Sequence, residues 1–369
     1  MIAHVQKPLS KSHVLVPVMK PRLPSLAQIS PFFQRIDFNQ NYSNGGPLVR
    51  ELESGYSTIF NVEPEKVIAV SNATIGITVA TLVLDPQTWV LPDFTFSATA
   101  LGVLNANKDV ILADVDKYSW TLQPPQSPSD KNFGYLPVMP FGNNETLMNW
   151  KSIKNVIFDL AASVGDSNLK LDWLNEKQIA IFSLHATKIS GCGEGGLVIC
   201  GSPEIAQEIR SRINFGFSVG RKTESIGLNG KMSEYSAAVA LASLVQRNED
   251  LLLWSKKNQI AYSESLLRNF SNPNLRQKSV SPYWIVNFDD NLAATFVEFA
   301  KQYNIESRKW WPIQISKMPF AIKTPRVTCR INPIAQAVAL SHVGLPMWKD
   351  IPTNTLEYIL KVIDLFNET

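Results

Sequence analysis

Lys188 has the sequence surroundings of a lysine that does covalent chemistry in this 369-residue chain. It follows the apolar residues 180–182 and precedes the segment 191–196 (GCGEGG), in which four residues are glycine. Such a segment indicates a tightly folded backbone that another part of the chain, or a ligand, can approach closely. A lysine in a partly dry pocket has a lowered pKa and can form a Schiff base. The alternatives are an ordinary solvated lysine and a phosphate cradle, although the spacing does not match the GxxxxGK[ST] of a P-loop.

Asp159 is the second candidate, because it directly follows the apolar residues 156–158. A carboxylate at the end of a buried strand needs a partner, since burying it unpaired costs several kcal/mol. That partner can be a structural arginine, a helix N-terminus or the protonated ring nitrogen of a cofactor.

Residues 71–74 (SNAT) are the third candidate, because they connect an apolar run to a predicted helix. The backbone amides and the dipole at a helix N-terminus attract anions. The small Ala73 and the hydroxyl of Thr74 would let a phosphate approach. The alternative is an ordinary Ser/Thr helix cap.

Strands alternate with helices over roughly the first 200 residues, which predicts an α/β domain with a largely parallel sheet. Strands are predicted at 66–70, 88–91, 110–113, 136–139, 156–158 and 180–182, and helices at 47–60, 75–84, 203–213 and 232–254. In such a sheet, ligands bind beyond the carboxyl ends of the strands. Polar clusters follow strand ends at 71–74, 93–99, 159–163 and 183–188, so these four clusters are expected to form one site.

Two domains are predicted from the length of the chain and its pattern of elements. Residues 1–250 form the large domain, in which 1–42 are a surface arm or irregular lead-in. Residues 251–369 form a smaller α+β domain, with helices at 259–269, 292–303 and 355–367 and a strand at 283–288. The helix at 232–254 bridges the two domains.

The composition argues against several other classes of protein. A net charge of +3 is too small to imply a nucleic acid or an anionic membrane as partner. No apolar run is long enough for a transmembrane helix. Three cysteines without a disulfide pattern fit the reducing cytoplasm, and four histidines without ligand spacing argue against a metal site.

Several stretches, in order along the chain, resemble the DegT/StrS-type sugar aminotransferases, which are pyridoxal 5′-phosphate (PLP) enzymes of the aspartate aminotransferase fold. The lysine segment is 182–198 (FSLHATKISGCGEGGLV). The other stretches are 43–53 (SNGGPLVRELE), 71–74 (SNAT), 92–99 (PDFTFSAT), 156–161 (VIFDLA), 227–238 (GLNGKMSEYSAA) and 345–347 (LPM). The resemblance implies a fold type I PLP transferase, with a mostly parallel sheet between helices and a smaller C-terminal α+β domain.

The resemblance also implies a role for each matching residue. Lys188 would bind PLP covalently, Asp159 would pair with the ring nitrogen, and both would be catalytic. The other implied cofactor contacts are Ala73, Thr74 and Ser183 around the phosphate, Phe96 on the ring face, and Asn229 from the neighbouring subunit of a homodimer. The implied substrate contacts are His185, Lys231 and Arg308, for which solvated or packed side chains are the alternative.

By the same resemblance, the chain would move an amino group from glutamate to a nucleotide-linked keto-sugar. Residues 43–53 look like the opening of enzymes that act at carbon 4, which favours a dTDP-4-keto-6-deoxyhexose. Two alternatives stay open: a PLP-binding regulatory protein without turnover, and a PLP-dependent sugar dehydratase or lyase. Some family members that act as dehydratases have histidine in place of the lysine, so Lys188 argues against that branch.

The sequence departs from the family pattern at two positions. The family usually has Gln or His three residues after the aspartate, in contact with the ring hydroxyl of PLP, and this chain has Ala162. Either another group supplies that contact or it is absent. Lys231 replaces the usual arginine of the 227–238 segment, which keeps the charge but loses the fork geometry.

Overall fold

An eight-stranded, mostly parallel sheet organises the chain in a computed structural model, which describes residues 14–126, 133–268, 270, 280–288 and 292–369. The strands are β1 (Val67–Val70), β2 (Thr88–Pro92), β3 (Asp109–Ala113), β4 (Phe133–Tyr135), β5 (Val156–Asp159), β6 (Gln178–Ser183), β7 (Gly196–Cys200), β8 (Trp284–Asn287), β9 (Val327–Cys329) and β10 (His342–Leu345). The large sheet has the order β1-β7-β6-β5-β4-β2-β3-β9, and β8 pairs with β10 in a separate two-stranded sheet.

The helices account for most of the remaining described residues. They are α1 (Leu26–Asn39), α2 (Pro47–Phe60), α3 (Ala73–Val83), α4 (Ser97–Asn105), α5 (Pro203–Arg212), α6 (Glu234–Val245), α7 (Arg247–Leu267), α8 (Leu292–Gln302), α9 (Pro319–Lys323), α10 (Pro333–Ser341) and α11 (Thr353–Asn367). None of the described helices combines the length and apolarity that crossing a membrane requires.

The direction of the strands brings the predicted polar clusters to one edge of the sheet. Of the strands described in the large sheet, only β7 runs against its neighbours, so β1, β2, β5 and β6 all point the same way. The segments that follow these four strands therefore emerge at the same edge, as expected for a ligand site in a parallel sheet.

Both faces of the sheet are buried at β1, β5, β6 and β7, in which every residue is buried. Alternate side chains of a strand point to opposite sides of the sheet. In β6, Ala180 and Phe182 join one apolar cluster, while Ile179 and Ile181 join the cluster on the other face. A strand buried on both faces reads as a continuous apolar run, which is why this sheet could be recognised from the sequence.

Two predicted elements differ from the structure. The predicted strand at 136–139 is not regular: β4 ends at Tyr135, and Pro137 has no N–H with which to continue the ladder. The predicted helix at 232–254 is two helices, α6 and α7, which meet at Gln246. The predicted helix at 259–269 is the second half of α7, apart from residue 269, which lies outside the described residues.

The interpretation of residues 1–42 as an irregular lead-in is wrong for the 14 residues of α1, which pack against α6. The helix starts after Ser25, whose backbone N–H donates to the side chain of Gln28 at 2.7 Å, as in one half of a capping box. Pro31 inside the helix hides the helical pattern in the sequence. Residues 1–13 lie outside the described part of the chain.

The C-terminal third contributes to both sheets. β8 and β10 form the small sheet, and α8 packs against α10 and α11. β9, however, extends the large sheet by pairing with β3. The division at residue 250 stays a prediction, and β9 shows that the chain returns to the large sheet after that point.

Candidate active site

Asp159 is buried at the carboxyl end of β5, with 7% of its surface exposed. Its Oδ2 accepts a hydrogen bond from Thr99 Oγ1 at 2.9 Å, and its Oδ1 accepts one from the Ala161 N–H at 3.1 Å. Burial raises the pKa of this carboxyl, and the two hydrogen bonds and the charge of Lys188 oppose that rise. A buried carboxylate in these surroundings would be stabilised by a further, cationic hydrogen-bond donor.

Lys188 lies in a tight turn in the segment between β6 and β7. The turn is closed by hydrogen bonds from Lys188 N to His185 O at 2.8 Å and from Gly191 N to Lys188 O at 3.1 Å. A Cβ on Gly191 would stand 2.6 Å from His185 O, so this glycine permits the close backbone approach that the sequence predicted. Lys188 Nζ donates to the hydroxyl of Tyr283 at 2.6 Å.

The segment between β1 and α3 has the helix N-terminus on which the predicted anion site depends. The helix cap is Asn72, whose side chain accepts from Ile75 N at 2.9 Å, so Thr74 is not the cap. The first amides of α3 have no carbonyl partner within the helix. A Cβ on Gly196 would stand 2.7 Å from Ala73 N, and Gly196 pairs with Ser183 across β6 and β7. Ala73, Thr74 and Ser183 therefore share one corner of the site.

These residues fit PLP by their donor set. A helix N-terminus with hydroxyls beside it suits the phosphate, a buried carboxylate suits a protonated ring nitrogen, and an amine lies where it influences that carboxylate. The roles of the individual residues remain predictions, which the experiments below address.

The predicted contacts outside this centre lie in varied surroundings. Phe96 precedes α4 with 61% of its surface exposed, so its ring is accessible. Asn229 is exposed, and its backbone bridges Asn214. His185 lies in the lysine turn, with Nδ1 hydrogen-bonded to Thr187 Oγ1 at 2.9 Å.

Lys231 and Arg308 lie on distant parts of the chain and have different partners. The backbone of Lys231 bridges Val70 beside the anion site, and its Nζ donates to Asn214 Oδ1 at 2.9 Å. Partial burial lowers the pKa of Lys231. Arg308 pairs with Glu306 at 2.7 Å, and its guanidinium lies 5.1 Å from the centre of the Trp310 ring.

Two residues of the site were not singled out from the sequence, namely Thr99 and Tyr283. Thr99 belongs to the predicted polar cluster at 93–99, but its position against Asp159 depends on how β2 and β5 are placed in the sheet. Tyr283 precedes β8 and is separated from Lys188 by 95 positions. No local pattern in the sequence connects residues that far apart.

Another member of the 93–99 cluster, Asp93, has a structural role. Its carboxylate accepts hydrogen bonds from Gln314 Nε2, from both the amide and the hydroxyl of Ser316, and from Asn332 Nδ2, at 2.7–2.9 Å. Asp93 therefore attaches the C-terminal part of the chain to the end of β2.

The family comparison decides what kind of protein carries this site. Residues 27–364 match the DegT/DnrJ/EryC1/StrS aminotransferase family. The chain belongs to this family. Membership in the DegT family confirms the resemblance found in the sequence, and with it an aminotransferase that uses PLP.

Curated relatives of this DegT-family chain align with nearly its whole length. A dTDP-4-amino-4,6-dideoxy-D-glucose transaminase of Shigella dysenteriae is 26% identical over 364 residues, which cover 94% of this chain and 97% of that protein. A protein of the same name from Escherichia coli is 27% identical over 372 residues, covering 94% of this chain and 98% of that protein.

Solved structures confirm the fold type. The structure of DesI in the presence of its TDP-sugar product has a TM-score of 0.80 at 23% identity, covering 97% of this chain and 94% of that one. A DegT DnrJ EryC1 StrS aminotransferase from Brucella abortus has a TM-score of 0.78 at 22% identity, covering 92% and 95%. At such identities the likeness shows the fold, which is the predicted PLP transferase architecture.

Thr99→Val is expected to weaken PLP binding about tenfold, because a hydrogen bond to a charged group contributes about 1.5 kcal/mol or more. Without the Thr99 hydroxyl, the charged form of the Asp159 carboxyl is less stable, so its pairing with a protonated ring nitrogen is weaker. Dissociation constants from fluorescence titration of the apoprotein test this. Thr81→Val is the matched control, since Thr81 is equally buried and its hydroxyl donates to Ile77 O within α3. Equal weakening in both variants would contradict the assignment.

Proposed function

We propose that this DegT-family enzyme transfers an amino group from glutamate to a nucleotide-linked keto-sugar, with a dTDP-4-keto-6-deoxyhexose as the favoured substrate. The proposal rests on one observation: Lys188 and Asp159 lie at the same edge of the sheet as the N-terminus of α3, which is suited to binding an anion. The choice of sugar is supported by the two curated relatives, which match along nearly their full lengths and are named as dTDP-4-amino-4,6-dideoxy-D-glucose transaminases.

The proposed mechanism assigns one task to each part of the site. When bound, PLP supplies an electron sink for the substrate carbon that loses a proton. Asp159 holds the proton on the ring nitrogen through a charge-assisted hydrogen bond, worth about 1.5–3 kcal/mol. Thr74, Ser183 and the N-terminus of α3 orient the cofactor through its phosphate.

Lys188 has two tasks in this mechanism. Its amine would hold the cofactor covalently. As a free base, the same amine would carry the proton between the amino-bearing carbon of the substrate and the cofactor. General acid–base catalysis of this kind contributes about 10²–10⁴-fold to a rate.

The diphosphate of the substrate needs cations, and Lys231 is the proposed main contact, with His185 and Arg308 lining the sugar end. Lys231 lies beside the anion site and is held by Asn214, so little side-chain freedom remains to be lost on binding. Arg308 is already paired with Glu306, whose negative charge would weaken the attraction of Arg308 for a phosphate.

Lys231→Gln is expected to raise the KM for the nucleotide sugar about tenfold, while the half-reaction with glutamate at saturating PLP keeps its rate. The reason is that the glutamate half-reaction involves no diphosphate, whereas a charge-assisted contact contributes about 1.5 kcal/mol or more. Lys222→Gln is the control, because Lys222 lies on the same segment, is exposed and pairs with Glu224. Equal losses in both half-reactions would place Lys231 elsewhere in the machinery.

A homodimer with a shared site is part of the proposal. The exposed segment that carries Asn229 also presents Val219 and Ile226 to solvent, and Val219 has 97% of its surface exposed. Exposed apolar side chains on this segment support the proposal that it belongs to a protein–protein interface. Light scattering of the purified protein should give twice the chain mass of 41.2 kDa.

A cytoplasmic location also belongs to the proposal. All three cysteines are free, two of them buried, which suits a reducing compartment.

The proposed activity is tested with a panel of nucleotide keto-sugars and glutamate, with products read by mass spectrometry. We expect an amino sugar and 2-oxoglutarate in equal amounts. If glutamate is not consumed even in a single turnover, the result would favour the PLP-binding regulator, and a dehydrated sugar with released ammonia would favour the dehydratase or lyase.

A further inference from the structure

The hydroxyl of Tyr283 occupies a defined position at the Lys188 amine. The two groups are 2.6 Å apart, and only 8% of the tyrosine surface is exposed. This hydrogen bond joins the C-terminal part of the chain to the lysine turn.

The tyrosine is held on several sides. Its backbone N–H donates to Ser281 Oγ at 3.2 Å, and Ser281 Oγ donates to Phe141 O at 2.7 Å. Its ring packs edge-on against Phe141, with centroids 5.5 Å apart, and against Trp310, with centroids 5.2 Å apart. The hydroxyl therefore has little freedom to move away from Lys188.

Ala162 lies in the same apolar cluster as Tyr283 and Phe141. Position 162 is where the family resemblance leads one to expect a Gln or His that contacts the ring hydroxyl of PLP. The alanine methyl can make no hydrogen bond, so the ring oxygen needs another donor.

The chemistry of PLP connects these observations. The carbon of PLP that reacts with a lysine is attached to the ring next to the carbon that bears the hydroxyl. A donor placed at the lysine nitrogen is therefore also within reach of the ring oxygen. Tyr283 has a hydroxyl at that place, on a rigid ring.

We propose that Tyr283 donates its hydroxyl hydrogen to the ring oxygen of bound PLP and so supplies the hydrogen bond that Ala162 cannot make. In the apoprotein the same hydroxyl accepts from Lys188 and keeps the amine pointed into the site. This inference rests on the proposed cofactor role of Lys188 and deepens it.

The test is a pH titration of the visible absorption of the PLP-loaded protein. A donor at the ring oxygen draws electron density away from it and weakens its hold on the proton of the neighbouring nitrogen. Tyr283→Phe is therefore expected to raise the pKa of the visible band by about one to two units. The charged groups around this point include Lys188 and Asp159, and both are unchanged in the variant.

Tyr358→Phe is the matched control, because it also removes a tyrosine hydroxyl that donates a hydrogen bond, in this case to Tyr303 O at 2.9 Å within the C-terminal part. The pKa of its visible band is expected to equal that of the wild type. If Tyr283→Phe does not fold, Tyr283→Met, which also lacks the donor, takes its place.

A second measurement removes the other partner of the proposed bond. Dissociation constants of PLP and of 3-deoxypyridoxal 5′-phosphate, which lacks the ring hydroxyl, are measured for the wild type and for Tyr283→Phe. We expect the loss of the ring hydroxyl to weaken binding about tenfold more in the wild type than in the variant, as in a double-mutant cycle.

The outcomes separate this inference from the proposed function. An unshifted visible band in Tyr283→Phe together with equal ratios of dissociation constants would overturn the role of Tyr283 alone. The absence of any visible band in the PLP-loaded wild type would instead overturn the covalent role of Lys188, and this inference with it.

Discussion

Lys188→Ala is expected to lower the kcat of transamination by at least about 10⁴-fold, which is the largest effect expected of any variant proposed for this chain. The variant loses the amine as the covalent attachment of PLP and also as the base at the substrate carbon. Base catalysis alone accounts for about 10²–10⁴-fold, and the lost attachment adds to it. Steady-state rates with glutamate and the keto-sugar measure the effect.

The control is Lys154→Ala, since Lys154 is exposed and pairs with Glu176 at 3.5 Å. Its kcat should equal that of the wild type. In parallel, borohydride reduction of the wild-type holoenzyme should attach the cofactor to the peptide that contains residue 188. Attachment to a different lysine, or a wild-type rate in Lys188→Ala, would refute the assignment.

Asp159→Asn is expected to lower kcat by about 10²-fold, because the ring nitrogen loses a charged acceptor worth about 1.5–3 kcal/mol. The amide has nearly the same shape as the carboxylate, so the loss reports the charge rather than the packing. Single-turnover measurement of the glutamate half-reaction isolates this step from binding of the sugar.

The same substitution should change the stability of the protein in opposite directions with and without PLP. Burial raises the pKa of Asp159 above its ordinary value of 3.8, so the folded apoprotein binds this proton more tightly than the unfolded chain does. The stabilisation from that proton is fully present below pH 3.8 and is lost as the pH rises through the raised folded pKa. At neutral pH the buried charge is therefore unfavourable in the apoprotein.

Apo Asp159→Asn should consequently be more stable than the apo wild type at neutral pH, whereas the PLP-loaded variant should be less stable than the loaded wild type. Thermal unfolding of both forms at about pH 7 measures the two differences. Asp93→Asn is the control: Asp93 is also buried, but its carboxylate accepts four hydrogen bonds, so its variant should be destabilised in both forms. Equal signs for apo and loaded Asp159→Asn would contradict the cofactor contact.

Much of the large sheet could be predicted because the sequence signals of its strands are local. The continuous apolar runs of β5 and β6 mark strands buried on both faces, and the polar residues after them mark the binding edge. The predicted boundaries of strands and helices were wrong where a single residue interrupts the pattern. Pro137 ends regular pairing, and the turn at Gln246 divides a helical pattern that otherwise continues.

Lys188, Asp159 and the SNAT turn could be singled out as candidates from the order of residues alone, since each lies at or shortly after the end of a strand and is recognisable from its neighbours. The folded chain was needed to show that Thr99 supports Asp159, that Asp93 anchors the C-terminal part, and that Tyr283 meets Lys188. These contacts join residues 60, 221 and 95 positions apart. Such pairs come together only when the sheet order and the return of the chain bring distant segments to one edge of the sheet. The spacing of residues along the sequence gives no sign of these long-range contacts.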